Sequence, residues 1–334
     1  MNDTFAPQLT LGRNVSLDSP IEQIETLAAL NKAAGDAMRL QILQLLEQDS
    51  FGVLELADIF DVSQSRMSHH LKILANAQLV TTRREGNSIF YRRALVNGSP
   101  LDGLRASIFE AADQIPWHKD LEAGLNDIYT ERANQSQLFF EKHAGQFTEV
   151  TDLIAGYAHY AESLEEVLKA IELPKSASAM EVGPGQGGFL KPLSERFHQV
   201  YALDNSPAML DLAKQHCTQG NVEFVLGTPE QAVSQNIKVD VLAFNMVLHH
   251  IPAPADILKA CHALLNPGGS LLITDLCPHE QNWVKESCGD IWLGLDPDHI
   301  KQWAIDAQLK PQQQVFVGLR NGFQIQIQQF IKDS

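Results

Sequence analysis

A glycine-rich turn carries the strongest chemical signal in the sequence. It follows the apolar stretch around Met180, and a helix-like apolar pattern begins at Phe189. Its glycines are Gly183, Gly185 and Gly187. Glycine lets a backbone turn tightly and approach a ligand with no side chain in between. No Lys-Ser/Thr pair follows, so the pattern is not that of a phosphate-binding P-loop. Glu181, just before the turn, would repel a pyrophosphate and favour a cationic amino-acid group.

A second candidate position lies at the end of the next predicted strand. Residues 200–203 read Val-Tyr-Ala-Leu, and Asp204 and Asn205 follow them. A carboxylate at this strand end is placed to accept both ribose hydroxyls of a nucleoside that lies over the glycine turn. The glycine turn and the carboxylate therefore require two consecutive strands, with a helix between them, to hold them in position.

From these residues onward, the sequence resembles the class I S-adenosylmethionine-dependent methyltransferases, over roughly residues 135 to 334. Later stretches agree with the family's order of strands and loops, namely residues 222–230, 240–251 and 264–275. The alternating arm after Gly322 suits the family's antiparallel last strand. The resemblance implies an α/β Rossmann-like domain with a mixed sheet, and S-adenosylmethionine or S-adenosylhomocysteine as the bound ligand.

The same resemblance implies roles for individual residues. Glu181 would bind the methionine ammonium, Asp204 the ribose, and Met209 would pack near the adenine. The implied donor-binding set is Glu181, Gly183, Gly185, Gly187, Asp204, Asn205, Met209, Glu230 and Asn245. The adenine loop departs from the family, because residues 227–229 read Gly-Thr-Pro where many relatives have Gly-Asp-Ala. Glu230 is the residue that would compensate for the missing acceptor.

Methyl transfer is harder to predict from the sequence than ligand binding, because positioning in a shaped pocket can suffice without an invariant nucleophile. His249 and His250 are candidates for the acceptor side of the site. A packed, buried loop explains this pair equally well. The sequence therefore leaves open whether this domain catalyses a reaction.

The composition indicates a folded protein with one local basic region. The 334 residues suffice for two domains, and 25 basic against 41 acidic residues give a net charge of −16. Between Val62 and Arg93, however, six basic residues face one acidic residue. A basic region on an acidic chain predicts one confined polyanion-binding face. No run of about 18 apolar residues predicts a membrane span. The four cysteines lack CxxC spacing, and with no signal peptide they predict a reduced, cytoplasmic protein.

The basic region lies within a helix-turn-helix pattern. A short apolar helix is predicted before Asp61, Ser63 is suited to cap the next helix, and that helix runs from Gln64 to Ala75. Residues 81–93 read as a basic β-hairpin, with Gly86-Asn87 as its turn. A helix-turn-helix followed by a basic hairpin is a winged helix, a mostly α-helical fold.

Residues 15 to 118 resemble the ArsR/SmtB family of dimeric bacterial repressors, on the phrase from Ser63 to Leu74 and the hairpin after it. The resemblance implies that the helix from Gln64 enters the major groove of operator DNA. It also implies a homodimer, formed through the first helix and the helix from Pro100 to about Ile115. The implied DNA-contact set is Gln64, Ser65, Arg66, Ser68, His69, Lys72, Arg83, Arg84, Arg92 and Arg93.

Many members of that family sense metals, and here the sequence departs from them. No cysteine occurs in the first 216 residues, and the helix after Pro100 lacks convincing ligand spacing. We therefore predict no metal site.

The expected organisation is a winged-helix domain over residues 1–118, a helical connector over 119–135 and a methyltransferase domain over 136–334. Two functions are compatible with it. One is a transcriptional regulator whose second domain binds the adenosyl ligand as an effector. The other is an active methyltransferase whose DNA-binding domain regulates its own gene.

Overall fold

The structure is a computed structural model, and it describes residues 20–85, 88–96, 100–143 and 154–333. The chain divides into two compact units, an N-terminal unit of residues 1–124 and a C-terminal unit of residues 125–334. The boundary falls inside one continuous helix.

The N-terminal unit is mostly helical. Its elements are α1 (Pro20–Ala34), α2 (Ala37–Leu45), β1 (Phe51–Gly52), α3 (Val53–Ile59), α4 (Gln64–Asn76), β2 (Val80–Glu85), β3 (Ser88–Arg93) and α5 (Asp102–Asp113). The three strands form one antiparallel sheet in the order β1-β3-β2. The predicted helix-turn-helix and hairpin are thus present, and the predicted turn residues Gly86 and Asn87 lie outside the described residues.

Local sequence signals explain where α4 begins and which face it buries. Ser63 caps the helix by accepting a hydrogen bond from the Arg66 backbone N–H at 3.4 Å. Met67, Leu71 and Leu74 lie one helical turn apart and are fully buried, so they fix this face of α4 against the unit. The opposite face is left for solvent or a partner.

The next helix, α6 (Lys119–His143), begins in the N-terminal unit and ends in the C-terminal one. It covers the residues predicted as a connector and the first residues of the predicted second domain. Within the N-terminal unit, a Cβ on Gly124 would lie only 3.0 Å from the Ile59 Cα at the end of α3. Glycine therefore lets α6 pack closely on the backbone of the helix-turn-helix.

The C-terminal unit is built on a seven-stranded mixed sheet. Its strands are β4 (Ser178–Val182), β5 (Gln199–Asp204), β6 (Val222–Leu226), β7 (Val239–Asn245), β8 (Leu265–Leu276), β9 (Leu309–Gly318) and β10 (Gln324–Lys332). The strand order is β6-β5-β4-β7-β8-β10-β9. Strands β4 to β8 pair in parallel, and β10 pairs antiparallel with both β8 and β9. The predicted Rossmann-like sheet with an antiparallel last strand is confirmed.

Short helices connect the strands of this sheet. They are α7 (Ala161–Ala170), α8 (Leu190–Arg196), α9 (Pro207–His216), α10 (Pro229–Ser234), α11 (Pro254–Leu264), α12 (Trp283–Cys288) and α13 (Pro297–Asp306). The central strands β7 and β8 are almost wholly buried, as expected for parallel strands covered on both faces. The strand order reverses beside β4, and ligands of open α/β sheets bind outside the carboxyl ends of the strands at such a point.

Among the described residues, none of the helices combines the length and apolar character needed to cross a membrane.

Candidate functional site

A cavity of about 530 Å³ opens at the carboxyl ends of β4, β5 and β7 in the C-terminal unit. All nine residues predicted to bind the donor come from this region, and eight of them line the cavity. These eight are Glu181, Gly183, Gly185, Asp204, Asn205, Met209, Glu230 and Asn245. The ninth, Gly187, lies in the same turn and packs against Leu190. The sheet therefore brings together residues that are up to 64 positions apart in the chain.

The glycine turn adopts a backbone that other residues rarely take. Gly183, Gly185 and Gly187 have φ values of +66°, +54° and +77°. At Gly183, a Cβ would also lie 2.6 Å from the Val247 side chain. Glycine is thus required by conformation at all three positions, and by space at Gly183.

Glu181 is a buried carboxylate with one oxygen committed and one available. Its Oε1 accepts a hydrogen bond from Asn245 Nδ2 at 2.8 Å, whereas its Oε2 has no partner among the described residues. Burial raises the pKa of Glu181 to about 8, because the low-dielectric interior disfavours its charged form. A cationic ligand group in the cavity would reverse this effect and satisfy the second oxygen.

Asp204 ends β5 on the same edge of the sheet. Burial raises its pKa to about 6, and backbone N–H donors from Ser206 and Asn205 oppose that shift. Its Oδ1 accepts the Ser206 N–H at 2.8 Å. This bond leaves the carboxylate able to accept ligand hydroxyls as well, since each oxygen has two lone pairs.

The loop with the unusual Gly-Thr-Pro sequence has a local structural explanation. Thr228 and Gln231 form a capping box at the start of α10, in which each side chain accepts from the other residue's backbone N–H. Pro229 occupies the first turn of that helix, where a missing N–H costs little. Glu230 is exposed and lines the cavity, which leaves its carboxylate near the predicted adenine side.

His249 and His250 also line this cavity, and both belong to a buried polar cluster. His249 Nδ1 lies 2.7 Å from Asp275 Oδ1, and its Nε2 lies 3.9 Å from Asp290 Oδ1. His250 Nδ1 lies 3.1 Å from the Gly289 carbonyl oxygen and 3.9 Å from Asp290 Oδ1.

The electrostatics of this cluster separate the two histidines. Burial works against the charge on His249, but Asp275 and Asp290 outweigh it and raise its pKa to about 9. Burial and the neighbouring His249 both lower the pKa of His250 well below its usual value. The pKa values of the two imidazoles are thus shifted in opposite directions, although their ring centroids lie only 4.0 Å apart.

The predicted DNA-contact residues of the N-terminal unit divide into two groups. The exposed ones on α4 and β2 are Gln64, Ser65, Arg66, His69, Lys72 and Arg84, and the half-buried ones are Ser68 and Arg83. Arg83 pairs with Glu85. Arg66 lies in the first turn of α4, and Ser63 is the N-cap of that helix. These eight residues share one helix and the strand that follows it.

Arg92 and Arg93 differ from the expectation, since they lie in the packed part of the unit. Arg92 is 7% exposed. Arg93 donates to both carboxylate oxygens of Asp113 on α5, and its Nε donates to the Leu43 carbonyl at 3.1 Å. Adjacent residues of a strand point to opposite faces of the sheet, so the two arginines are covered on different sides of β3, and Arg93 is the one that contacts α2 and α5.

Two family comparisons match these two regions. Residues 36–82 match the family described as bacterial regulatory protein, arsR family. Residues 180–273 match the methyltransferase domain family. The chain joins an arsR-family helix-turn-helix to a methyltransferase domain.

Individual relatives of the methyltransferase domain are more distant. A ubiquinone biosynthesis O-methyltransferase from Xanthomonas axonopodis pv. citri is 31% identical over 116 residues, which are 34% of this chain and 48% of that protein. The chain thus spans about half the length of this relative. A methyltransferase solved in complex with the Haloferax volcanii Trm112 activator is 14% identical with a TM-score of 0.48, over 58% of this chain and 98% of that one. The N-methyltransferase NodS from Bradyrhizobium japonicum WM9, solved with S-adenosyl-L-homocysteine, is 14% identical with a TM-score of 0.45, over 56% of this chain and 98% of that one.

The cavity lining includes Tyr129, Ser136, Phe139, Phe140 and His143 of α6. Sequence reasoning placed the segment from Leu138 at the pocket through the family resemblance, but it missed Tyr129 and Ser136. It also missed that Asp275 and Asp290 bracket His249. The two carboxylates carry no spacing signal, because Asp275 lies near the end of β8 and Asp290 lies in the loop after α12.

Proposed function

We propose that this protein is a DNA-binding transcriptional regulator whose effector is S-adenosylmethionine or S-adenosylhomocysteine bound in the methyltransferase domain. The observation that carries the ligand half of this proposal is Glu181, a buried carboxylate in the cavity wall with an oxygen that has no partner among the described residues. An α-ammonium group, which both ligands carry, is the charge that such a carboxylate would bind.

Asp204 supports the same ligand class. It ends the strand next to the one that carries Glu181, and the glycine turn lies between them in sequence. A ligand with an ammonium group at one end and a ribose at the other would span these two carboxylates. Aromatic and apolar lining around Met209, Ile257 and Phe140 would cover the less polar parts of the molecule.

The DNA-binding half rests on α4. This helix exposes Gln64, Ser65, Arg66, His69 and Lys72 while its other face is locked into the unit by buried leucine and methionine side chains. We propose that α4 enters the major groove and that Arg83 and Arg84 bind phosphates beside it. For Arg92 and Arg93 we propose a structural role instead, because Arg92 is buried and Arg93 pairs with Asp113.

Helix α6 supports coupling between the two activities. Its first part belongs to the N-terminal unit, where Gly124 packs on Ile59, and its last part lines the cavity of the C-terminal unit. A ligand that changes the position or order of this helix would bias DNA affinity. A regulator needs a coupling free energy of only about 1–3 kcal/mol.

We also propose a homodimer, and a cytoplasmic location that access to operator DNA implies. Ile21 and Ile24 on α1 and Ile115 after α5 are 71%, 66% and 62% exposed in the single chain. Large exposed apolar side chains on these helices favour an interface that covers them. Light scattering on the purified chain should give the mass of a dimer, and Ile24→Asp should shift it toward the monomer.

The test of the proposed function is a titration of DNA affinity with each ligand. The full chain is bound to DNA from upstream of its own gene, and S-adenosylmethionine or S-adenosylhomocysteine is added. We expect DNA affinity to change about 5- to 150-fold with at least one ligand. An unchanged affinity, with ligand binding confirmed by calorimetry, would reject the effector role.

A second function, methyl transfer to a small molecule, is favoured by one specific observation. His249, held by Asp275, lines the same cavity as the donor-binding residues and is a group that can take up or release a proton there. A named relative is an O-methyltransferase, which agrees with a proton-transfer role. Mass spectrometry can measure whether S-adenosylmethionine is converted to S-adenosylhomocysteine and whether a candidate phenol gains the methyl group. Such turnover distinguishes this function from the first.

A further inference from the structure

His249, His250 and Asp290 form the one cluster of three possible metal ligands that the described part of the chain contains. One ring nitrogen of each histidine and one carboxylate oxygen lie within 4.8 Å of one another. Asp290 Oδ1 lies 3.9 Å from His249 Nε2 and 3.9 Å from His250 Nδ1. Two nitrogen atoms and one oxygen atom thus lie close together. His250 Nδ1 also lies 3.1 Å from the Gly289 carbonyl oxygen, so it would have to give up that hydrogen bond and its proton to bind an ion.

The partner of His249 makes this more than a chance grouping. Its Nδ1 lies 2.7 Å from Asp275 Oδ1, and Asp275 is fully buried at the end of β8. Histidines that bind metals usually donate their second ring N–H to a carboxylate or a carbonyl, which fixes the ring and makes the other nitrogen a better donor. His249 has this arrangement, and its Nε2 is the nitrogen that faces Asp290.

The distances fit an ion after a contraction of the cluster. In a tetrahedral zinc site, bonds of about 2.0–2.2 Å place the ligand atoms about 3.3 Å apart. The two separations of 3.9 Å from Asp290 Oδ1 would have to shorten by about 0.6 Å, and the two histidine nitrogens, which lie within 4.8 Å of each other, by up to about 1.5 Å. Imidazole nitrogens combined with one carboxylate suit borderline divalent transition ions such as Zn²⁺ or Fe²⁺ rather than Mg²⁺ or Ca²⁺.

All three residues also line the cavity, so an ion held by them would have coordination positions directed into it. A site with three protein ligands and an open position is the pattern of a reactive or ligand-binding centre, whereas purely structural zinc sites use four protein ligands. A second molecule could reach such an ion through an oxygen, nitrogen or sulfur atom.

We propose that His249, His250 and Asp290 bind one divalent transition-metal ion in the wall of the adenosyl cavity, with Asp275 as the positioning residue of His249. This site shares no residue with the proposed DNA-contact set or with the carboxylates Glu181 and Asp204. Its success or failure therefore leaves the effector proposal untouched. An ion on His249 Nε2, with Nδ1 held by Asp275, would exclude the proton-transfer role of His249 in the second proposed function.

The test uses Co²⁺ as a spectroscopic probe on the full chain after chelator treatment. We expect one equivalent of Co²⁺ to produce the visible absorption of a nitrogen- and oxygen-ligated ion of low coordination number, and Zn²⁺ to displace it. Asp290→Asn and His250→Gln should each weaken binding at least about 10-fold, and Asp275→Asn about 10- to 100-fold through the histidine it orients. Circular dichroism checks that each variant is folded.

Two controls separate this site from other histidines and from the donor site. His198→Gln removes an exposed histidine that does not line the cavity, and it should bind Co²⁺ like the wild type. Glu181→Gln alters the part of the same cavity that is proposed to bind the adenosyl ligand, and this variant should still bind Co²⁺. The proposal is overturned if wild-type protein yields only the spectrum of hydrated Co²⁺, or if the folded Asp290→Asn variant binds as well as wild type. In either case the cluster is a buried ion-pair network.

Discussion

The two units carry their candidate functional residues in opposite ways. In the N-terminal unit these side chains stand on the exposed face of α4 and on β2, where water solvates them. In the C-terminal unit they surround one cavity, and its titratable residues Glu181, Asp204 and His249 have pKa values shifted to about 8, 6 and 9. Exposed charges act through long-range attraction that salt screens, whereas buried charges act at short range in a low dielectric. Substitutions in the two units should therefore differ in size, in salt dependence and in pH dependence.

The largest effect is expected at Asp204. Asp204→Ala removes the acceptor for two ribose hydroxyls, and hydrogen bonds to a charged group contribute about 1.5–3 kcal/mol each. We expect adenosyl-ligand affinity to fall at least about 100-fold, measured by calorimetry. DNA affinity without ligand should stay within about 2-fold of wild type, because Asp204 belongs to the other unit and to none of the proposed DNA contacts.

Equal losses of ligand and DNA affinity in this variant would contradict the separation of the two activities. Asp204→Asn is the matched control, because it keeps the size of the side chain and one acceptor oxygen. Its ligand affinity should fall between those of the wild type and the alanine variant.

Glu181 should give the protein a distinctive pH dependence. Its pKa is about 8 in the folded chain against 4.5 for the free group, so the folded state holds a proton that the unfolded state releases between these values. The stability that this proton contributes is complete below pH 4.5 and is lost as pH rises toward 8, with a slope of at most about 1.4 kcal/mol per pH unit. Ligand affinity should change in the opposite direction, because the ammonium group binds the ionised carboxylate.

Glu181→Gln isolates both effects, since glutamine keeps the acceptor for Asn245 Nδ2 but does not titrate. Denaturant unfolding of the unliganded protein from pH 5 to pH 8 should show a flatter dependence in the variant. Calorimetry over the same range should show weaker ligand binding that no longer rises with pH. A wild-type affinity that is constant with pH would contradict the assignment of Glu181 to the ligand ammonium.

The β2 arginines Arg83 and Arg84 should affect DNA affinity in a salt-dependent way, in contrast to the buried carboxylate of Glu181. Arg84→Ala should weaken DNA binding about 10-fold at low salt and reduce the slope of log affinity against log salt by about 0.9 for each protomer, the value for one phosphate contact. Arg83→Ala should have a smaller effect, because Arg83 already pairs with Glu85. Arg320→Ala removes an exposed arginine of the C-terminal unit and serves as the control. An unchanged salt slope in both β2 variants would contradict the proposal that the β2–β3 hairpin contacts phosphates.

Some features of both units could be predicted from the sequence because they depend on local patterns or on the family resemblance. The helix α4 and the hairpin follow local patterns of apolar spacing, caps and glycine, whereas the order of strands around the glycine turn is expected from the family resemblance. The roles of Glu181 and Asp204 are also expected from that resemblance. Each is the last charged residue of its strand, and the resemblance implies that the two strands lie next to each other.

Residues whose roles depend on tertiary packing could not be predicted this way. Arg92 and Arg93 look like part of a basic surface in sequence, but in the structure Arg92 is buried and Arg93 binds Asp113 on α5. The cluster of His249, His250, Asp275 and Asp290 is assembled from the loop after β7, the end of β8 and the loop after α12. No single stretch of sequence carries its spacing, which explains why no metal site was predicted there.

The smallest effect, and the sharpest test of the link between the two activities, is expected at Gly124. A Cβ at this position of α6 would lie 3.0 Å from Ile59 Cα and 3.2 Å from its carbonyl oxygen, so Gly124→Ala must displace α6 from the end of α3. Alanine itself favours a helix by about 1 kcal/mol over glycine, which offsets part of the cost of that displacement. We expect ligand and DNA affinities measured separately to change only about 2- to 3-fold, while the ligand-induced change in DNA affinity shrinks toward one.

Gly103→Ala is the matched control, because a Cβ at that position of α5 meets nothing within 4 Å. It gains the same helix propensity without displacing a neighbour, so its coupling should equal that of the wild type. Coupling is reciprocal, so DNA must change ligand affinity by the same factor that the ligand changes DNA affinity, and both titrations should report the loss in Gly124→Ala. If coupling persists in that variant while α6 remains helical, the signal does not pass through the packing of α6 on α3.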